Sequence, residues 1–250
     1  MNPFSALDWQ KKIYLSGFSG KLPHVKIDPV HLEEAAKKVM SPQAFAYIAG
    51  GAGVESTMRS NRNAFETCRI VPRMLRNVGD RDTRIDLFGK KLPSPFLLSP
   101  IGVLEMVHSE ADLAVGRAAA RLGVPYIFSN QASRPMEAVA SVMANSPRWF
   151  QLYWSKSNEL VKSFVQRAER CGCDAIVVTL DTTMLGWRTR DLELAYLPFL
   201  EGKGIAQYIS DPVFQQLMDE PDTQENAKRE VTWQTLRGLV SMVNRYPGKG

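Results

Sequence analysis

The run from Ala175 to Arg190 places several reactive side chains at the end of one apolar stretch. Ala175 to Leu180 reads as a buried strand that closes in Thr179, Asp181, Thr182 and Thr183, with Arg188 one short loop later. An apolar run ending in polar groups is how a parallel βα-barrel delivers side chains to its rim. Three earlier apolar runs end alike. Ser99, Pro100, Ile101 and Gly102 follow the first, Ser129, Asn130 and Gln131 the second, and Gln151, Leu152 and Tyr153 close the third. Hydroxyls, amides, a phenol and a carboxylate therefore gather on one predicted rim. Neutral donors and acceptors of this kind suit the polar edge of a flat heterocycle. An arginine with a phenol suits a carboxylate, because the planar guanidinium meets both oxygens.

Other chemistries find little support. The three histidines are His24, His31 and His108, and none lies at a strand end beside a nucleophile. His108 precedes a predicted helix and reads as a surface residue. No His, Asp or Glu pair has a metal-like spacing. Cys68, Cys171 and Cys173 form no disulfide framework or zinc pattern, which suggests a reducing compartment. The last two read as small buried residues at a helix-to-strand junction. The net charge is +5, with basic residues concentrated between Arg59 and Lys91 but interrupted by Glu66, Asp80, Asp82 and Asp86. That pattern reads as a solvated, salt-bridged face rather than a nucleic-acid surface. A mild positive field also suits an anionic ligand. No apolar run of membrane-spanning length occurs, and neither terminus carries a recognisable address. The expectation is a cytoplasmic protein, with peroxisome and mitochondrion as alternatives.

The elements that would position these groups follow from pattern. Residues 30 to 48 read as helical, with a second short helix capped by Ser41 and opened by Pro42. Ala49 to Gly53 breaks it, a further helix covers Ser56 to Phe65, and Arg84 to Leu92 reads as a hairpin turning at Gly89. Strands are then predicted near 95–99, 124–129, 148–153 and 174–180. Helices lie between them: Glu110 to Leu122 capped by Ser109 and stopped by Gly123, Pro135 to Ala144, and Lys156 to Cys171. In the last, Leu160, Val161, Phe164, Val165 and Ala168 face inward. A strand every roughly 25–30 residues is the βαβ repeat, hence a parallel sheet. Residues 191–230 lose this rhythm and read as a long irregular, mobile loop at the rim. A last helix is expected near Thr232 to Asn244 within 231–250.

These residues bring the chain to a known family. Tyr47-Ile-Ala-Gly-Gly-Ala-Gly53, Asn61-Arg-Asn-Ala-Phe65, Val71-Pro-Arg-Met-Leu-Arg76, Leu98-Ser-Pro-Ile-Gly102, Phe128-Ser-Asn-Gln131, Trp149-Phe-Gln-Leu-Tyr153 and Val178-Thr-Leu-Asp-Thr-Thr183 occur in order. In them the chain resembles the FMN-dependent 2-hydroxy acid oxidases and dehydrogenases. Leu185 to Asp191 and Leu197 to Leu200 resemble its lactate 2-monooxygenase-like branch. The resemblance implies an α/β fold, a TIM (β/α)8 barrel of the FMN-linked oxidoreductase type. It implies FMN as cofactor, a small 2-hydroxy acid anion as substrate, oxygen as electron acceptor, and a homotetramer in intact members. It assigns Pro100, Ile101 and Gly102 to the flavin's reactive edge, and Ser129, Gln151 and Thr179 to its polar ring. Tyr47 and Arg188 would hold the substrate carboxylate, Tyr153 would contact the substrate hydroxyl, and Asp181 would stabilise a catalytic histidine.

That histidine's Ser-Asn-His-Gly-type strand end does not occur in these residues, nor do the family's flavin-facing lysine, second carboxylate-binding arginine and glycine-rich phosphate loops. The expectation is a single truncated domain: helices and hairpin over 1–92, then about four β/α units over 93–190. Four more units would need on the order of 120 residues. Three readings are open: a flavin-dependent 2-hydroxy acid oxidase or dehydrogenase, a non-catalytic remnant or interaction piece with half a flavin pocket, and an unrelated βα-barrel for a phosphorylated metabolite.

Overall fold

The structure is a computed structural model that describes residues 6–182 and 184–219. The chain divides into two compact units, one up to Gly50 and one from Gly51 onward. The first holds α1 (Ala6–Phe18), α2 (Pro29–Val39) and α3 (Pro42–Ala49). Asp28 caps α2, its carboxylate accepting from the N–H groups of Val30 and His31, with Pro29 in the first turn. Ser41 caps α3 as the sequence indicates, its hydroxyl accepting from Ala44 N–H at 3.1 Å. The helical stretch read over 30–48 is thus two helices that break at Met40 and Ser41, the second starting where Ser41 and Pro42 indicate. α1 has no buried residue and no counterpart in the sequence reading.

The second unit opens with α4 (Ser56–Ala64), which tightens into a 3-10 turn at Phe65–Thr67. The expected hairpin follows as β1 (Ile85–Leu87) and β2 (Lys90–Leu92), antiparallel, with Gly89 at positive φ in its turn. α5 (Ala111–Leu122), β3 (Tyr126–Phe128), α6 (Met136–Met143), β4 (Arg148–Tyr153), α7 (Asn158–Arg170) and β5 (Ile176–Thr179) then alternate. The three strands form one parallel sheet in the order β3-β4-β5. An α/β fold with a parallel sheet is the result; no closed barrel forms among the described residues.

Two expectations need correction here. The first predicted strand, 95–99, is reduced to one parallel bridge between Leu98 and Tyr126. Pro93, Pro95 and Pro100 lack the N–H groups that a longer ladder needs. Ser109 does not cap α5. The Glu110 N–H is taken by His108 Nδ1 at 3.2 Å, and Ala111 sits at φ +46°. Gly123 does end that helix, at φ +66°.

The core lies between the sheet and α5, α6 and α7. Tyr126, Phe128, Phe150 and Leu152 meet Met136, Val139 and Met143 of α6 and Leu160, Val161, Phe164 and Ala168 of α7. The segment read as irregular over 191–230 is instead, as far as residue 219, a series of short helices that begins at Thr189. α8 (Thr189–Glu193), a 3-10 turn at Pro198–Glu201, α9 (Ala206–Ile209) and α10 (Pro212–Asp219) follow one another. Tyr208 stacks edge-on against Phe164 and Phe214, so this segment joins the core. The helix expected over 231–250 lies outside the described residues.

Candidate functional site

Parallel pairing puts the C-terminal ends of β3, β4 and β5 side by side, with Tyr153 opposite Thr179. The polar groups there are joined. Gln151 donates from Nε2 to Thr179 Oγ1 at 2.8 Å, while its Oε1 accepts from Asn130 N–H at 3.0 Å and, at a long 3.4 Å, from the Ser129 hydroxyl. Ser129 Oγ in turn accepts from Gln131 N–H. Asn130 Oδ1 accepts from Tyr153 N–H at 2.8 Å. Ser129, Asn130 and Gln151 are all buried. Buried amides in a low-dielectric setting need partners; the strand ends supply several of them to one another, while Asn130 Nδ2 is buried without a hydrogen-bond partner.

The 100–106 loop closes on the same ends. Val103 donates its N–H to Gln131 C=O at 2.9 Å, and Glu105 N–H donates to Ser133 Oγ. Gly102 packs closely at its place: a Cβ there would stand 3.0 Å from Gln131 Cβ and 3.8 Å from Ser129 Oγ. Behind these loops, Gln207 is fully buried. Its Oε1 accepts from Met136 N–H at 3.0 Å, and Ala206 N–H donates to Ala132 C=O. Gln207 is itself held by Arg167, whose Nη1 donates to the Gln207 carbonyl at 2.7 Å and to Asp211 at 3.1 Å. Arg167 Nε and Nη2 meet both oxygens of Glu137. Burial pulls the Glu137 carboxyl upward, but the Arg167 bonds outweigh it and hold it below its ordinary value. Asp112 adds a second buried brace. Its carboxylate accepts from Ser133 N–H at 2.8 Å and from the Tyr126 hydroxyl, and burial pushes its pKa up against those bonds.

Ser129, Gln151, Thr179 and Gly102 are thus brought together, with Tyr153 tied in through Asn130. Asp181 is exposed, with the Thr182 hydroxyl donating to it at 3.1 Å. Arg188 pairs with Asp191, Nε to Oδ2 at 2.5 Å. Tyr47 belongs to α3 in the other unit. Pro100 is half-buried and Ile101 exposed. The sequence reading missed Asp112, Arg167, Gln207 and Asp211, because a lone buried polar side chain gives no periodic signal.

Cys171 and Cys173 are half-buried free thiols, and burial pushes Cys173 up to about 12. His108 is exposed, as expected. No group of three His, Cys, Asp or Glu among the described residues could hold a metal. No described helix is long and apolar enough to cross a membrane.

A row of neutral hydrogen-bonding side chains at the carboxyl ends of parallel strands marks a βα protein with a polar rim. The chain belongs to the FMN-dependent dehydrogenase family, whose family model matches residues 36–245. It is 40% identical over 215 residues to an FMN-dependent alpha-hydroxy acid dehydrogenase of Penicillium citrinum, covering 86% of this chain and 54% of that one. It is 46% identical over 183 residues to an L-lactate oxidase of Lysinibacillus sphaericus, covering 73% and 47% respectively. Among solved structures, mandelate oxidase with (S)-2-phenylpropionate superposes with a TM-score of 0.69 at 32% identity, over 89% of this chain and 60% of that one. The chain spans about half the length of the curated relatives it matches.

FMN is the family's cofactor. The strand-end residues fit its ring. The pyrimidine edge of a flavin alternates acceptors and donors and carries no strong charge. The second Nε2 proton of Gln151 and the Thr179 hydroxyl proton supply neutral donors beyond the bonds within the row. The missing Cβ at Gly102 lets the 100–106 loop close on Gln131 and Ser129, beside these donors.

Proposed function

We propose that this chain carries one wall of an FMN site for the oxidation of a small L-2-hydroxy acid, lactate-like, to its 2-keto acid. The observation that carries the reading is the hydrogen-bonded row Ser129–Gln151–Thr179 across three adjacent parallel strands. In this reading the sheet is part of a (β/α)8 barrel. Ser129, Gln151 and Thr179 hold the flavin's polar ring, and the backbone of Pro100, Ile101 and Gly102 lies at its reactive edge. Bound FMN accepts the two electrons that leave the substrate. Tyr47 and Arg188 grip the carboxylate, Tyr153 orients the hydroxyl oxygen, and Asp181 stabilises the charge on a base that removes the hydroxyl proton. Oxygen is the electron acceptor, and decarboxylation of the lactate 2-monooxygenase kind is the finer possibility that Leu185 to Asp191 supports.

FMN titration of the purified 250-residue chain, followed by flavin fluorescence, tests this. Saturable quenching that weakens in Gln151→Ala is expected; quenching that never saturates overturns it. A second reading, a non-catalytic flavin-binding or interaction piece, is favoured by one observation. None of the three histidines of these residues, His24, His31 and His108, lies at the end of a described strand. Bleaching of the bound flavin by L-lactate without air decides between the two, and the second expects none.

A further inference from the structure

We infer that Gln207 is a positioning residue for Ser129 and Asn130, fixing the course of the loop that carries them. This rests on the reading of Ser129, Gln151 and Thr179 as the wall that holds the flavin's polar ring. The loop runs over residues 129–135, between the end of β3 and the start of α6. Pro135 stands at the N-cap of α6 and gives no side-chain cap. The Met136 N–H, first of that helix, has no carbonyl within the helix to meet.

Gln207 meets it from 71 positions away, its Oε1 accepting from Met136 N–H at 3.0 Å. A backbone N–H can only donate, so the amide oxygen must face it and Nε2 is aimed elsewhere. Nε2 lies between two carbonyls of the loop, Ser129 and Arg134, each at a long 3.4 Å. One side chain thus touches both ends of the loop. Ala206 adds a bond at its middle, N–H to Ala132 C=O at 3.2 Å, and Val103 N–H ties Gln131 C=O from the opposite side in sequence. Gln207 can act as a fixed point because its own carbonyl accepts from Arg167 Nη1 at 2.7 Å. A fully buried glutamine loses hydration and rotamer freedom on folding. What this one supplies is the path of the loop. That path sets two bonds of the row: Asn130 N–H to Gln151 Oε1 and Gln131 N–H to Ser129 Oγ, both at 3.0 Å. With the loop released, Gln151 and Ser129 would have to be ordered by the ligand itself, and donors ordered in advance bind more tightly.

The test is FMN titration of the full chain, comparing the native protein with Gln207→Met and Met143→Ala. The first variant keeps the side chain's length and removes every bond of its amide. The second opens a cavity in the same core, at the far end of α6 from the loop. The FMN concentration at half-saturation should rise about tenfold or more in Gln207→Met and stay within about twofold in Met143→Ala. At saturation the absorption bands of bound FMN should shift in Gln207→Met alone, because its ring meets displaced donors. Native affinity and native bands in Gln207→Met would overturn the inference. Equal weakening in both variants would overturn it too, since loss of stability would then be the whole effect. If Gln207→Met does not fold, the native chain decides: FMN should slow solvent exchange of the Met136 N–H at least fivefold, because coupling between two sites is reciprocal. Exchange indifferent to FMN sinks the idea. A native titration that never saturates instead removes the flavin wall. Exchange of the Asn130 and Gln131 N–H groups then decides whether Gln207 holds the loop: it should quicken in Gln207→Met, and unchanged rates refute the role.

Discussion

At the ends of β3 and β4, Ser129, Asn130 and Gln151 are at most 3% accessible and bonded to one another. One strand further on, Leu180, Asp181, Leu185 and Trp187 stand largely in solvent. Both stretches follow the same kind of apolar run, so the difference does not come from strand propensity. It comes from place in the sheet. β4 has a partner on each side, whereas β5 pairs only with β4 among the described strands. Polar groups on β4 can be satisfied by neighbours from both directions, and those beyond β5 have neighbours on one side. Among the described residues the rim is therefore covered at its centre and uncovered beyond β5.

The sharpest way to break this comparison is to remove the brace behind the covered half. Arg167 is buried between Glu137, Asp211 and the Gln207 carbonyl, and Asp211 is fully buried with it. Arg167→Met leaves the Asp211 charge without its cation. Stability should fall by about 3–5 kcal/mol, the usual effect of unpairing a buried ion, read as the midpoint of urea unfolding. A fall under about 1 kcal/mol would mean that the brace is decorative.

A smaller effect is expected at the row itself. Gln151→Leu keeps the volume but strands the Asn130 N–H and the Thr179 hydroxyl. The expected loss is about 1–3 kcal/mol of stability for the unmade hydrogen bonds. FMN affinity should fall about tenfold or more, since 1.4 kcal/mol is a factor of ten. Unaltered FMN binding would place the flavin elsewhere.

Asp112 gives a pH-dependent version of the same contrast. Burial raises its folded-state pKa above the unfolded value, so its contribution is fully present below the unfolded pKa, near 3.9, and is lost as pH rises through the folded one. The stability difference between the native protein and Asp112→Asn should therefore move against the native protein across that window. Equal pH profiles for the two proteins would contradict it.

What the sequence made legible follows the same division. Strands β3, β4 and β5 are short apolar runs rich in aromatic and β-branched residues, closed by polar ones, and their ends were readable one at a time. The inward face of α7 was readable from its spacing. The joins were not. Gln207 meets Met136 across 71 positions, and Arg167 meets Asp211 across 44. Neither pair has a period, and from sequence alone a lone Arg, Gln or Asp reads as surface. The first strand was over-read because its apolar residues outweighed three prolines. The segment after Asp191 was over-read as irregular because its helices are only four to eight residues long, too short for a periodic signal.

Asp181 is where the comparison yields its smallest folding effect and its clearest separation of roles. The side chain is exposed, and a hydroxyl one residue along donates to it. Asp181→Asn keeps shape and hydrogen-bonding capacity, so the melting temperature should stay within about 2 °C, the range of surface substitutions in a chain of this size. FMN affinity should also hold, because Ser129, Gln151 and Thr179 bond to one another and not to Asp181. A loss of FMN binding in this variant would show that the edge of the rim holds the flavin no less than its centre does, and would erase the distinction between the two halves.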